Sequence, residues 1–501
     1  MKKFFVLLLM IPTIFPLFAQ NRYNIIDYGA SISQINNAAS IQKAIDAASA
    51  NGGGMVVIPA GNFVSGPVNL KSNVELHLSE HSVLLGSARR ADFTESNMAV
   101  ISAYSQHNIA ITGKGTIDGQ AHLLIADLLQ MLREGKIKDE LWQTKRPTED
   151  NRPNLIFFKS CKNIKVKGIR LKDAASWVQN YKECDGLVVD SMTVNSTAYW
   201  NNDGIDIVDS KNVKISNSFF NAADDAICLK SEIADGYCEN ILVENCMLRS
   251  SANGFKLGTG SIGGFKHIEV KNITVYDTYR SAIALEAVDG GFLEDVDIHG
   301  VRAKNTGNAL FIRLGHRNKD GRYSKVKNIV VDDVMVEVPL GKPDVGYPFE
   351  GPLPKVPPHN LLPVSITGLP GHPIQNVKLQ NVEVTYGGGG TKAKAYVSAD
   401  SLATITENAS GYPEFTMFGE LPAWGIYARH IEGLDLSNIK LIIQKSDYRP
   451  ALVFDDIKGL KLNKVMIPKD NKLPVIVCKE VSKLSTTDVT LPNHKKAMII
   501  Q

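Results

Sequence analysis

Asp203 lies in Asn201-Asn202-Asp203-Gly204-Ile205-Asp206, and twenty-one residues later comes the pair Asp224-Asp225, in Ala223-Asp224-Asp225-Ala226-Ile227. Like charges oppose each other's ionisation, so three carboxylates gathered in one place are unfavourable unless a reaction or a metal uses them. Such a cluster can divide into a protonated acid and an ionised base, because each charge raises the pKa of its neighbour. The interval between the two motifs is about one period of a repeat that runs through the chain, which predicts that they stack on adjacent turns.

The repeat is a polar or small residue, an aliphatic, any residue, and a second aliphatic. It appears as Asn163-Ile164-Lys165-Val166, Gly186-Leu187-Val188-Val189, Asn212-Val213-Lys214-Ile215 and Asn240-Ile241-Leu242-Val243. It continues from His267, Asp295 and Asn328, at intervals of 23 to 33 residues, and returns at Asn376 and Gly433. Alternating segments at this spacing predict short strands with one face in a core, and so an all-β, single-domain right-handed parallel β-helix. The recurrent Asn is expected at a left-handed bend, or stacked as an amide ladder inside the coil. Residues 39–48 have helical spacing and stop at Asn51-Gly52-Gly53-Gly54, which predicts an N-terminal helix capping the open first turn. Three stretches interrupt the repeat near 116–153, 341–363 and 387–424, and are expected to wall a cleft. The first reads as a polar excursion holding Trp142, Lys145 and Arg146.

Composition bounds the rest. Net charge is +3 and no long Lys/Arg run occurs, which argues against a nucleic-acid partner. Residues 1–19 read as a signal peptide, with Lys2-Lys3, an apolar run from Phe4 to Phe18 and cleavage after Ala19, so an exported, periplasmic or secreted protein is expected. No later stretch reaches the roughly 18–20 apolar residues of a membrane span. The mature domain is then 20–501, expected to be a monomer. Cys161, Cys184, Cys228, Cys238, Cys246 and Cys478 match no zinc spacing and read first as small buried residues. Neither a metal nor another cofactor is expected.

Ile25-Ile26-Asp27-Tyr28-Gly29-Ala30, the cap helix and Val57-Ile58-Pro59-Ala60-Gly61 look like the start of pectin-degrading β-helix enzymes. Asn201-Asn202-Asp203-Gly204 and Asp224-Asp225 resemble the Asn-Thr-Asp-Gly and Asp-Asp motifs of glycoside hydrolase family 28, the polygalacturonases. The resemblance covers most of residues 24–340 and implies an inverting hydrolase of a pectin-type polysaccharide or oligosaccharide, with Asp224 as general acid and Asp203 with Asp225 activating water. Adjacent residues of a regular strand face opposite ways, so Asp224 and Asp225 can share a site only at a bend or bulge.

The sequence departs from the family downstream. Asn253, in Ala252-Asn253-Gly254, stands where the Gly-His-Gly motif has its His, and Ala282–Glu286 has no counterpart of the Arg-Ile-Lys motif, whose basic residues hold a uronic acid carboxylate. Replacement candidates are Lys230, Lys256, Arg280, Arg313 and His316, with Asn201 and Asn253 beside the motifs. Steps of 26, 24 and 33 residues from Lys230 to Lys256, Arg280 and Arg313 would set these four along one face. They could instead be solvated, or pair with Glu286 and Asp289. Trp200 is the first choice for stacking on a sugar, followed by Trp177, Tyr199 and Trp424. Long insertions closing a groove would favour exo action. Two other readings stay open: a lyase on the same fold, with the acidic cluster holding calcium and Lys256 or Arg280 as base, and a non-catalytic glycan-binding β-helix.

Overall fold

A computed structural model describes residues 21–347, 362–391, 399–468, 475–490 and 498–500. The expected signal peptide, most of 341–363 and part of 387–424 lie outside the described residues.

The chain coils into a right-handed parallel β-helix in which every named strand pair is parallel and each strand bonds to its equivalents one turn before and after. Three ladders result. The strand at Lys211–Ser216 stacks between Asp185–Asp190 and Cys238–Glu244, that at Phe219–Ala222 between Thr193–Ser196 and Met247–Ser250, and that at Ile227–Ser231 between Asp206–Val208 and Phe255–Ser261. Inward residues alternate with outward ones, so Ile207, Leu229, Leu257, Leu285 and Ile312 form a continuous column in the single main core.

The repeated polar position explains how the coil turns. Asn163, Gly186, Asn212, Asn240, His267, Asp295, Asn328, Asn376 and Gly433 all have left-handed backbone, with φ between 53° and 82°. Asn and Gly tolerate this conformation best. The side chains also link turn to turn, from Asn240 to Asn212, Asn212 to Asp185 and Asn376 to Asn328, but on the exposed surface rather than inside the coil.

Helix α1 (Ala38–Ala50) buries Ile41, Ala44, Ile45 and Ala48 against the first turn and covers the core that an open coil would expose. The 116–153 stretch corrects the sequence reading. Residues 116–118 still form a strand, and Ala121–Arg133 is an amphipathic helix, α2, burying Ala121, Leu124, Ile125, Leu128 and Leu132. That spacing was present in the sequence but sits beside polar residues that mask it.

Candidate active site

Asp203 lies in the loop between the strands Thr193–Ser196 and Asp206–Val208. Buried Asn202 anchors that loop: its amide donates to the carbonyls of Ala174 and Ser176 and accepts from Ser196 Oγ. Gly204 N donates to Asp225 O at 2.8 Å, and a Cβ on Gly204 would come within 2.5 Å of the Ala226 carbonyl. Glycine therefore lets the Asp203 loop press directly against the next turn. That turn is the bend between Phe219–Ala222 and Ile227–Ser231, where the ladder is interrupted and both Asp224 and Asp225 leave the strand alternation.

The sites of the three carboxyl groups differ sharply. Asp225 is buried and accepts from Asn253 N (3.0 Å), Asn253 Nδ2 (2.8 Å) and Lys256 Nζ (2.9 Å). Burial alone would raise its pKa, but Lys256, Lys230 and Arg280 outweigh that and hold it down at about 2. Asp224 is partly accessible; desolvation and the charges of Asp203 and Asp225 push it up to about 7. Asp203 is raised too, by desolvation, although Lys230 Nζ lies 3.1 Å from its Oδ2 and opposes the shift. Near neutral pH the cluster thus holds an ionised Asp225 beside an Asp224 that retains its proton about half the time.

The expected cations take up distinct places. Lys230 bridges Asp203 and Asp206, with its ammonium 4.2 Å from the Trp177 ring centroid. Lys256 pairs with Asp225 and reaches to 3.5 Å from Tyr412 Oη. Arg280 lies 3.5 Å from Glu414 and 5.7 Å from the Tyr412 ring. Asn253 is wholly engaged: besides holding Asp225, its Oδ1 accepts from Ser281 N. Asn201 Oδ1 accepts from Arg146 and Arg152, fastening the 116–153 stretch to the motif, and Trp200 lies under Arg146.

One residue of the expected basic track, Arg313, and a further substrate-binding candidate, His316, make their contacts elsewhere. Arg313 shares the outer face, but its guanidinium donates to the carbonyls of Gly368, Glu407 and Asn408 and so clamps the third insertion. His316 is stacked on Tyr323, itself stacked on His372, and makes none of the contacts of the carboxylate cluster.

Several neighbours that were not assigned to the site from sequence complete it. Glu149, on the rim of the first insertion, stands in the field of Arg152, Lys230 and Asp224. Tyr412 and Glu414 come from the third insertion, which was expected to wall the cleft, and here reach Lys256 and Arg280. Arg317 donates twice to Asp289 and lies 6.0 Å from the Tyr412 ring. Glu286 is buried beside Lys256 and Asp225, and desolvation raises it to about 8. Asp206 is one turn before Lys230, a spacing that could have revealed it.

The groove is closed on one side. Outward positions run from Asp206 to Cys228, Lys256, Ala284 and Phe311. From Ala284 onward the face is covered: Ala284 and Phe311 pack with Leu362 and Phe415, and Tyr427 and Val453 with Leu402, Leu421 and Ala423. A separate cavity of about 190 Å³ beside Trp424, Ile443 and Asp447 contains none of the carboxylates.

Comparison with known proteins agrees with this arrangement. The sequence profile described as glycosyl hydrolases family 28 matches residues 49–283, which include both carboxylate motifs. The chain is 24% identical over 382 residues to an exo-poly-alpha-D-galacturonosidase of Dickeya chrysanthemi, covering 62% of each. It is 26% identical over 310 residues to an endo-polygalacturonase of Pectobacterium carotovorum subsp. carotovorum, covering 56% of this chain and 73% of that one. In fold it is similar to a hyperthermoactive exopolygalacturonase from Thermotoga maritima (TM-score 0.59, 19% identity, 84% of this chain and 92% of that chain). It is also similar to a polygalacturonase from Erwinia carotovora ssp. carotovora (TM-score 0.55, 22% identity, 71% and 91%). The segment 49–283, which holds both carboxylate motifs, is similar to glycosyl hydrolases family 28, and the chain shares the β-helix fold of those two enzymes.

Proposed function

We propose that the protein is an inverting hydrolase that cleaves a glycosidic bond of a pectin-type glycan at a chain end. The observation carrying this reading is the opposed pair on one bend: Asp225 held ionised by Asn253 and Lys256, and Asp224 kept protonated by burial and its charged neighbours. Asp224 donates a proton to the leaving oxygen, and Asp225 with Asp203 takes one from the attacking water. Lys230 and Lys256 hold the two bases in position by direct contact. A neutral acid loses its catalytic usefulness once ionised, so neighbours that delay ionisation serve the reaction.

The covered face beyond Lys256 supports exo action, because a chain entering the groove meets Phe415 and Tyr412 one strand further on. A lyase with calcium in the acidic cluster fits less well. Lys230 and Lys256 already bring positive charge to Asp203 and Asp225, and the third group within reach of that pair is a thiol, Cys228, rather than an oxygen donor. Among the described residues no helix is long and apolar enough to cross a membrane; on Lys2-Lys3 and the apolar run from Phe4 to Phe18 we take the protein to be exported.

The test is reducing-sugar release from homogalacturonan, rhamnogalacturonan and pectic oligosaccharides. The wild type should release sugar without unsaturated, ultraviolet-absorbing product, and Asp224→Asn should be slower by about a hundred- to ten-thousand-fold. Equal rates in both proteins, or an unsaturated product, would refute the reading.

A further inference from the structure

The closed end of the groove has an unusual charge balance. Each cation around it carries a carboxylate partner: Lys230 with Asp203 and Asp206, Lys256 with Asp225, Arg317 with Asp289 through two bonds, and Arg280 with Glu414. Glu286 adds a further carboxyl group at this end, in the field of Lys256, Asp225, Arg280 and Arg317. It is only 1% exposed. An anionic sugar seated here would face the charges of Asp225 and Glu414 while every nearby cation is already paired, and like charges at such range oppose binding.

Two buried polar atoms at the same place have no hydrogen-bond partner among the described residues: Glu286 Oε2 and Arg280 Nε. Native structures seldom leave buried polar groups unsatisfied, so this pair, one an acceptor and one a donor, is open to the polar atoms of a ligand. A sugar hydroxyl can donate to the first and accept from the second, satisfying both with no charge of its own. Tyr412, 49% exposed beside Lys256 and Arg280, offers an aromatic face for the apolar C–H side of a ring. Backbone geometry keeps Glu286 close to the preceding turn. Gly258 has φ 87°, and a Cβ there would come within 2.5 Å of the Glu286 carbonyl and 3.2 Å of its Cβ, so glycine leaves room beside the carboxyl stem.

We infer that the sugar at the closed end of the groove, between Lys256, Arg280, Glu286 and Tyr412, is an uncharged glycosyl residue recognised through its hydroxyl groups, with Glu286 as the residue that sets this preference. The inference rests on the hydrolase reading above for the direction in which the chain enters, but its recognition chemistry is separable from turnover. A galacturonate at the chain end is disfavoured by Asp225 and Glu414, whose cations are already paired, and Glu286 adds no positive charge to offset them.

Calorimetric binding to the Asp224→Asn protein tests this with two pectic oligosaccharides that differ only at the non-reducing end. One ends in galacturonate and the other in its carboxyl-reduced galactosyl counterpart. The neutral-ended ligand should bind at least about tenfold more tightly, which corresponds to about 1.4 kcal/mol. Glu286→Gln should keep that preference and Glu286→Lys should reverse it, with unchanged melting temperatures establishing that both variants fold. Tighter or equal binding of the acidic end, a preference indifferent to Glu286→Lys, or binding of neither ligand would overturn the inference. Neutral-end preference without hydrolysis by the wild type would sink the hydrolase reading and leave this one standing. Hydrolysis from galacturonate ends would do the reverse.

Discussion

At the scale of residues, the proposed chemistry depends on holding two adjacent carboxyl groups in opposite states. Asp225 accepts three hydrogen bonds, one charged, whereas Asp224 accepts only one from its neighbour's backbone N and feels the charges of Asp203 and Asp225. The pH dependence follows. With Asp224 at about 7 as the required acid, kcat/KM should fall about tenfold per pH unit above that value, while the acid limb lies well below it. Stability should show the matching sign. The folded protein keeps the Asp224 proton up to about 7, whereas the unfolded chain releases it near 3.8, so the folded state binds more protons in that window and loses stability as pH rises. An Asn at this position lacks that penalty. Asp224→Asn should therefore melt above the wild type at pH 8 and level with it at pH 3, as read by scanning calorimetry; a variant less stable at pH 8 would contradict the assigned protonation. The two Asp motifs were legible in the sequence because a coil converts a spacing of one turn into contact. The part of Asn253 was not. Read against the resemblance it is a lost His, yet its backbone and amide nitrogens are what hold Asp225, a contact that depends on the register between turns rather than on residue type.

At the scale of elements, the strands position the site and the insertions decide what can enter it. Repeat periodicity reveals strands but says nothing of segments that break it. The segment with Tyr412, Glu414 and Phe415 was therefore expected only as a wall of the cleft, with no contact assigned to any of its residues, and α2 was hidden inside a stretch read as polar. Arg313 shows the cost of reading charge by face alone. It lies on the expected face, 1% exposed, but works as a clamp on the carbonyls of Glu407 and Asn408. Removing it leaves buried carbonyls without their donor, at roughly 1–3 kcal/mol for each unsatisfied group. Arg313→Met retains much of the apolar stem, so its main effect should be to loosen the end wall. The expected outcome is a lowered melting temperature together with a product pattern shifted from single terminal units toward mixed oligosaccharides, resolved by anion-exchange chromatography. A lowered melting temperature with an unchanged product pattern would show that the 399–424 segment does not close the groove.

At the scale of the whole molecule, one core extends along the coil, and stability is shared between neighbouring turns, as expected for stacked repeats. The six cysteines belong to that arrangement. All are buried and unpaired; Cys161, Cys184, Cys238, Cys246 and Cys478 are in the main core, and Cys228 faces outward beneath the carboxylate cluster. Several thiols donate to backbone carbonyls at the turns, Cys184 to Lys182, Cys238 to Lys230 and Cys246 to Glu244. Burial also pushes the thiols of Cys238 and Cys478 up to about 12, which suppresses the thiolate that oxidation requires. Cys228 lies next to two buried lysines, yet desolvation keeps it, too, well above the ordinary thiol range. In the exported location proposed above, this many cysteines would ordinarily invite disulfides. Here packing within stacked turns protects the thiols instead, and exposing them requires unfolding the coil around them. Titration with a thiol reagent should accordingly find none reactive in the native protein and all six in denaturant, with activity indifferent to reductant. Fewer than six in denaturant without reductant would mean that a disulfide staples the coil, and that its turns are not held by packing and ladder hydrogen bonds alone.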